Sequence, residues 1–198
     1  MAVKKIHRED ILKASVTVME TQGYERLSVR NIAAELHSST QPIYSEFHNI
    51  NHLKEELLHY ISEHYLKTSQ SSYKAFALLF LRFAKNHREL FKFFYLRNRG
   101  EVPELEDINR MDVVCLLAEA LQLPSEKAWQ LHHEMQMYCY ALGVILASGY
   151  REMRERQIDE ELIRIFRIVL CYYKGIRSQE EYDYWLNRTH HLYQDKEE

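Results

Sequence analysis

The sequence predicts an all-α fold: a three-helix head containing a helix-turn-helix, followed by a larger helical part. Three observations carry this. Apolar residues recur at helical spacing along almost the whole chain. Three prolines and five glycines in 198 residues are too few for the turns of a loop-rich β fold. The stretch 28–47, SVRNIAAELHSSTQPIYSEF, reads as two short helices around a tight turn. With 46% hydrophobic residues the chain is long and apolar enough for one or two packed cores.

The elements follow in order. Residues 1–7 are a basic arm. Helix one runs from about His7 to Gln22, with Ile11, Leu12, Ser15, Val16 and Met19 inward and Gly23 as its stop. In helix two, Val29, Ile32, Ala33 and Leu36 share one face, and Ser28 can cap it. His37-Ser38-Ser39 breaks the pattern. Helix three follows, with Ile43 and Phe47 inward and Pro42 fixing its start. Ser39 is the expected N-cap, which makes Pro42 the third helical residue. Thr40, Gln41, Tyr44 and Ser45 then point outward. The same pattern also suits an ordinary helical hairpin inside an all-α protein.

Helix four starts near Asn49 or Asn51 and runs to about Lys67 with Leu53, Leu57, Ile61 and Tyr65 in register. Residues 68–72 form a polar joint, so the expected domains are 1–67 and 68–198. Helix five holds Phe76, Leu79, Phe80 and Phe83; helix six begins at His87 and holds Leu90, Phe91, Phe93, Phe94 and Tyr95. Residues 97–107, with Gly100 and Pro103, read as a loop. Helix seven spans about 108–121, and Pro124-Ser125 restarts the chain into helix eight, 126–148. Helix nine starts near Asp159 and carries Leu162, Ile165, Phe166, Val169, Leu170 and Tyr173. A polar helical segment, 179–193, and a solvated tail close the sequence.

Composition excludes several classes. The formal net charge is −3, and residues 1–50 hold six cations against six carboxylates. Affinity for nucleic acid must therefore come from local placement of cations and helix ends. No apolar stretch is long enough for a membrane span, and no apolar run follows Lys4-Lys5 as in a signal peptide. Cys115, Cys139 and Cys171 sit far apart in apolar patterns and read as buried thiols in a reducing, cytoplasmic setting. His48 and His52 lie at i, i+4, but no carboxylate or cysteine in sequence completes a metal set. No nucleophile-base signature and no glycine-rich phosphate loop is visible. Neither a metal, a cofactor nor an enzymatic activity is expected.

From Ile11 the sequence resembles the DNA-binding domain of TetR-family transcriptional regulators. The matching residues are Ile11-Leu12, Gly23-Tyr24, Ser28-Val29-Arg30, Ile32-Ala33, Ser39 to Phe47 with its Tyr44-x-x-Phe47 ending, and Leu53 to Leu58. Two departures stand out: His37 where the family has glycine in the turn, and Ile50 where it has a phosphate-binding lysine. His37 is compatible with a left-handed turn, and Lys54 is one turn from Ile50.

The resemblance implies a DNA-binding head and a helical regulatory domain for ligand binding and dimerisation. It makes Gln41, Thr40 and Ser45 candidate base readers, and Lys5, Ser28, Arg30, Tyr44 and Lys54 candidate phosphate contacts. Val29, Ser38, Ser39, Pro42 and His48 complete the candidate DNA surface. Phe80, Phe83, Phe94, Trp129, His132, Met135 and Tyr138 are candidates to line a pocket for a small apolar ligand, with Gln136 and Tyr140 beside them. The bland alternative is that these aromatics fill a core. Leu142, Ile145, Leu146, Phe166, Leu170 and Tyr173 are candidates for a homodimer interface, where Gly143 and Gly149 would permit close helix approach. The implied function is a ligand-responsive repressor on a near-palindromic operator; the alternative is a helical co-regulator that has lost DNA binding.

Overall fold

A computed structural model gives the fold, and it describes residues 6–67, 72–97 and 109–192. Expectations for Lys5 and the N-terminal arm, most of the joint, residues 98–108 and the terminal tail lie outside these. Among the described residues all regular structure is helical. By contacts the chain divides into two compact units: Met1–Leu66 with His87–Glu106, and Lys67–Asn86 with Asp107–Glu198.

In the first unit, α1 (Arg8–Gln22) buries Ile11, Leu12, Val16, Val18 and Met19. Gly23 ends it at φ 91°, ψ 147°, a conformation open to glycine and closed to other residues. A short 3-10 turn, Tyr24–Arg26, leads to α2 (Val29–Glu35). Ser28 caps α2 as expected, its hydroxyl oxygen accepting the Asn31 N–H at 3.3 Å. The next helix, α3 (Gln41–Phe47), begins later than expected: Thr40, not Ser39, is the N-cap, and Pro42 is the second helical residue. The first closing bond runs from Tyr44 N–H to Thr40 O, so the ring of Pro42 obstructs no intrahelical bond.

Asn49 starts α4 (Ile50–Ile61), its side-chain oxygen accepting from both Asn51 and His52 N–H. The helix widens into a π-type turn over Ser62–Leu66. The segment expected as helix six is α6 (Arg88–Phe91), continued by a second π-type turn over Lys92–Leu96. It packs on α1 in the head unit instead of joining the second domain. Leu90, Phe91, Phe93 and Phe94 are at most 2% exposed, so this segment adds four large side chains to the core of the head. Each such side chain contributes about 1.5–3 kcal/mol by burial.

The second unit is built from α5 (Tyr73–Asn86), α7 (Arg110–Leu121), α8 (Ser125–Ala147), α9 (Glu155–Lys174) and α10 (Gln179–Arg188). α8 packs against α5, α7 and α9. One apolar cluster joins Tyr73, Phe76, Val113, Leu117, Leu131, Met135, Phe166, Leu170 and Leu192. A second joins Leu78, Leu81, Cys139, Leu142, Leu146, Met153, Ile158 and Leu162. The inner face of α5 is thus Phe76, Phe83, Leu78, Leu81 and Ala84, while the expected Leu79 and Phe80 are only half-buried. Helix nine starts a turn earlier than expected, at Glu155. Gln157 accepts the Arg154 N–H there, and Arg82 and Lys85 of α5 hold the Glu155 carboxylate at 3.1 and 3.0 Å. Those hydrogen bonds, Lys85 first, keep Glu155 below the usual carboxylate range.

Gly149 is the turn residue after α8, at φ 71°, and not a helix-contact glycine; Gly143 is buried within α8. Of the three cysteines only Cys139 is buried, its thiol pushed up to about 12 by burial; Cys115 is exposed and Cys171 half-buried. No described helix is long and apolar enough to cross a membrane.

Candidate nucleic-acid interface

The turn between α2 and α3 is a Schellman motif. His37 N–H bonds Ala34 O at 3.0 Å, Ser38 N–H bonds Ala33 O at 2.9 Å, and His37 takes φ 50°. His37 thus adopts the left-handed geometry that a glycine would take there. A β-carbon at such a position costs roughly 1–2 kcal/mol, so the turn is formed under modest strain.

Behind α3, Ile43 is 2% and Phe47 0% exposed. On the other side Gln41, Ser45 and His48 are exposed, Tyr44 is 52% exposed, and Thr40 and Pro42 are half-exposed. The two inward residues at i, i+4 fix which face of the helix is presented. Ser45 returns its hydroxyl to Gln41 O at 3.0 Å, a local bond it can release to another acceptor. Ser39 is exposed; Ser38 is half-buried and donates to Ser39 O.

Besides Tyr44, the described candidate phosphate contacts lie on or beside the neighbouring helices. Arg30 on α2 is exposed, Val29 and Ser28 at its start are half-exposed, and Lys54 on α4 is half-exposed. Among the described residues no ion pair engages Arg30 or Lys54, whereas Lys13 is taken by Glu9 at 2.6 Å.

The C-terminal end of α3 is held by residues that sequence reasoning missed. Arg8, opening α1, donates from Nη1 to Glu46 O at 3.0 Å, and its guanidinium lies 4.4 Å from the Phe47 ring centre. Its Nη2 pairs with Glu56 Oε2 at 3.1 Å. His52 Nδ1 meets Phe47 O at 3.0 Å, and its Nε2 lies 3.8 Å from Glu56 Oε1. Nothing in the linear pattern marks this set, because its members are dispersed over three helices.

The other expected sets are only partly brought together. In the second unit Met135 lies in the first core cluster, and Phe80 and Tyr138 border the second. Phe83 is buried, His132 half-buried, and Trp129 is 40% exposed and stacked on His133. Phe94 is fully buried in the other unit, against Tyr95, so it does not belong to that group. Tyr138 donates to Glu161 at 2.7 Å and accepts from Arg164 at 3.0 Å; burial first, then Glu161, raises its pKa.

Of the expected interface residues, Phe166, Leu170, Leu142 and Leu146 are buried in the chain's own core, which leaves them little surface to offer a partner. Ile145 and Tyr173 are half-exposed. Besides Trp129, the large apolar side chains outward on these helices include Met137 (50% exposed), Ile168 (55%) and Tyr172 (80%). A shallow open depression along α9 is lined by Glu160, Ile163, Arg164, Arg167 and Ile168.

Comparison with known proteins agrees with this geometry. Residues 11–61 match the family model described as bacterial regulatory proteins, tetR family. The fold is similar to the crystal structure of a TetR-like transcriptional regulator from Rhodococcus sp. RHA1, with a TM-score of 0.58 and 15% identity. That similarity covers 89% of this chain and 100% of the other. No curated protein matches the chain.

Proposed function

We propose, from the premise that this chain carries the N-terminal head of the TetR family of transcriptional regulators, that it binds a near-palindromic operator as a homodimer and represses until a small ligand releases it. The observation behind DNA reading is α3 itself: Gln41, Tyr44 and Ser45 outward on a helix anchored by Ile43 and Phe47. In a major groove Gln41 pairs its amide with adenine, and Thr40 and Ser45 reach bases or phosphate. Tyr44, Arg30, Ser28 and Lys54 hold the backbone and set the register.

Homodimerisation is supported by the outward Met137 on α8 and Ile168 and Tyr172 on α9, large apolar side chains exposed in one chain. Two heads in such a dimer sit about 34–36 Å apart on the duplex, one helical turn. Ligand response is supported by polar groups set in an apolar wall of the second unit. Tyr73 OH and His132 Nδ1 lie 3.3 Å apart beside Phe166, with Gln136 half-buried nearby on α8. A ligand that favours a dimer with the wrong head spacing releases DNA by population shift.

A mobility shift on the DNA upstream of the protein's own gene, repeated over a range of salt, tests the reading. Specific retardation that weakens linearly in log–log with salt is expected. A co-regulator without DNA binding is the second reading, favoured by the even charge balance of residues 1–50; absence of any retardation at low salt would establish it.

A further inference from the structure

We propose that Glu56, acting through Arg8, is a positioning residue that sets the angle of α3 and so the sequence selectivity of the head. The proposal rests on the DNA-binding reading above.

α3 has seven residues, no side-chain cap at its N-terminus, and a C-cap, His48, at φ 61°. A helix this short does not hold itself in water. Its apolar anchors, Ile43 and Phe47, lie on one side. Contacts of that kind fix how deep the helix sits, but they are non-directional and leave rotation and tilt loosely determined.

Directional bonds act at the C-terminal end. Two consecutive carbonyls there, Glu46 O and Phe47 O, face Arg8 Nη1 and His52 Nδ1, each at 3.0 Å. A carbonyl only accepts, so the Nδ1 of His52 carries the proton in this contact. Glu56 Oε2 pairs with Arg8 Nη2 at 3.1 Å, while its Oε1 lies 3.8 Å from His52 Nε2, beyond hydrogen-bond reach. One carboxylate on α4 thus holds Arg8 of α1, whose donor and that of His52 meet adjacent carbonyls of α3. The planar fork of Arg8 makes its two bonds at once and covers the Phe47 ring, a geometry that a lysine cannot reproduce.

Base reading by Gln41 depends on hydrogen-bond directions, and a small tilt of the helix moves its amide out of line. Phosphate contacts tolerate such a tilt. The clamp therefore governs the ratio of specific to non-specific affinity. Arg8 Nη1 and His52 Nδ1 are engaged by carbonyls of α3, so their expected role is positioning and not phosphate contact.

The test uses the full chain with Glu56→Gln, Arg8→Lys and Arg8→Met. One probe is a duplex enriched from a random pool by the wild-type protein, and the other is a scrambled duplex of equal length and composition. Affinity is measured by fluorescence anisotropy over a range of salt, and amide exchange of α3 and α1 is followed in the free protein. Glu56→Gln and Arg8→Lys are expected to lower affinity for the enriched duplex about ten-fold, within the range for a lost base contact. Affinity for the scrambled duplex and the salt slope stay unchanged, and exchange quickens in α3 but not in α1. A lower melting temperature with an unchanged affinity ratio overturns the proposal. So does a salt slope that falls by about one on changing Arg8, which would make it a phosphate contact. If Arg8→Met does not fold, the near-isosteric Glu56→Gln decides. A wild type that enriches no sequence overturns the DNA-binding reading and this proposal with it; a wild type that does, with variants equally selective, overturns the clamp alone.

Discussion

Glu89 accepts the backbone N–H of Tyr24 at 3.0 Å, across the glycine that ends α1. Its other oxygen takes the ammonium of Lys92 at 2.6 Å. Burial alone would raise its pKa, but the bonds from Lys92 and the Tyr24 amide outweigh burial and hold the carboxyl below its ordinary value. Together with His87 on Glu20, it fastens α6 to the end of α1. Because the folded-state pKa is lowered, this stabilisation is present above the unfolded value and is lost as pH falls through the folded one. Glu89→Gln should cost about 1–3 kcal/mol near neutral pH, and the deficit should shrink in acid. Urea midpoints of both proteins across that pH range check it; a deficit independent of pH would contradict the assignment.

His37→Gly should stabilise the protein. The left-handed φ of 50° carries a steric cost at His37 that glycine does not have. A gain of up to about 1 kcal/mol is expected, since glycine also loses more entropy on folding. Thermal melts of the two proteins decide the sign.

Gln41→Ala should relax selectivity at one base position at a cost of about 1–3 kcal/mol. Tyr44→Phe should weaken all sequences alike, because the hydroxyl of this exposed residue is assigned to phosphate. Competition binding at fixed salt with single-base operator variants separates the two patterns.

Ile168→Glu with Tyr172→Glu should give a folded monomer in sedimentation, with operator binding reduced. Both side chains are outward in one chain, so only an interface would feel the charges. Phe166→Glu, placed in the core, should instead unfold the second unit. Dimers surviving the outward pair would move the interface off this face.

Phe94→Trp should cost about 1–3 kcal/mol by overpacking, since Phe94 is fully buried against Tyr95 in the head. Phe80→Trp, at a half-buried position of α5, should leave urea midpoints nearly unchanged. Thermal shift with hydrophobic ligands on the Phe80 variant then reports on the second unit alone.

The sequence by itself determined the all-α class, the helix-turn-helix and the face that α3 presents. Those features are local. Helical spacing places Ile43 and Phe47 on one side and Gln41, Tyr44 and Ser45 on the other, whatever the rest of the chain does. The caps at Ser28 and Gly23 and the left-handed turn at His37 are also local, since each follows from a residue and its near neighbours. Tertiary structure decided the remainder. Periodicity shows that Phe94, Phe166 and Leu170 face something apolar, but the core of one chain and a partner's surface give the same stripe. Only the packing of α6 on α1, and of α9 on α8, assigned those residues to the chain's own cores. The clamp of Arg8, Glu56 and His52 lay beyond pattern reading for a related reason. Charged and polar side chains at half-exposed positions carry no periodic signal, and their partners are backbone carbonyls distant in sequence or hidden by the helix end.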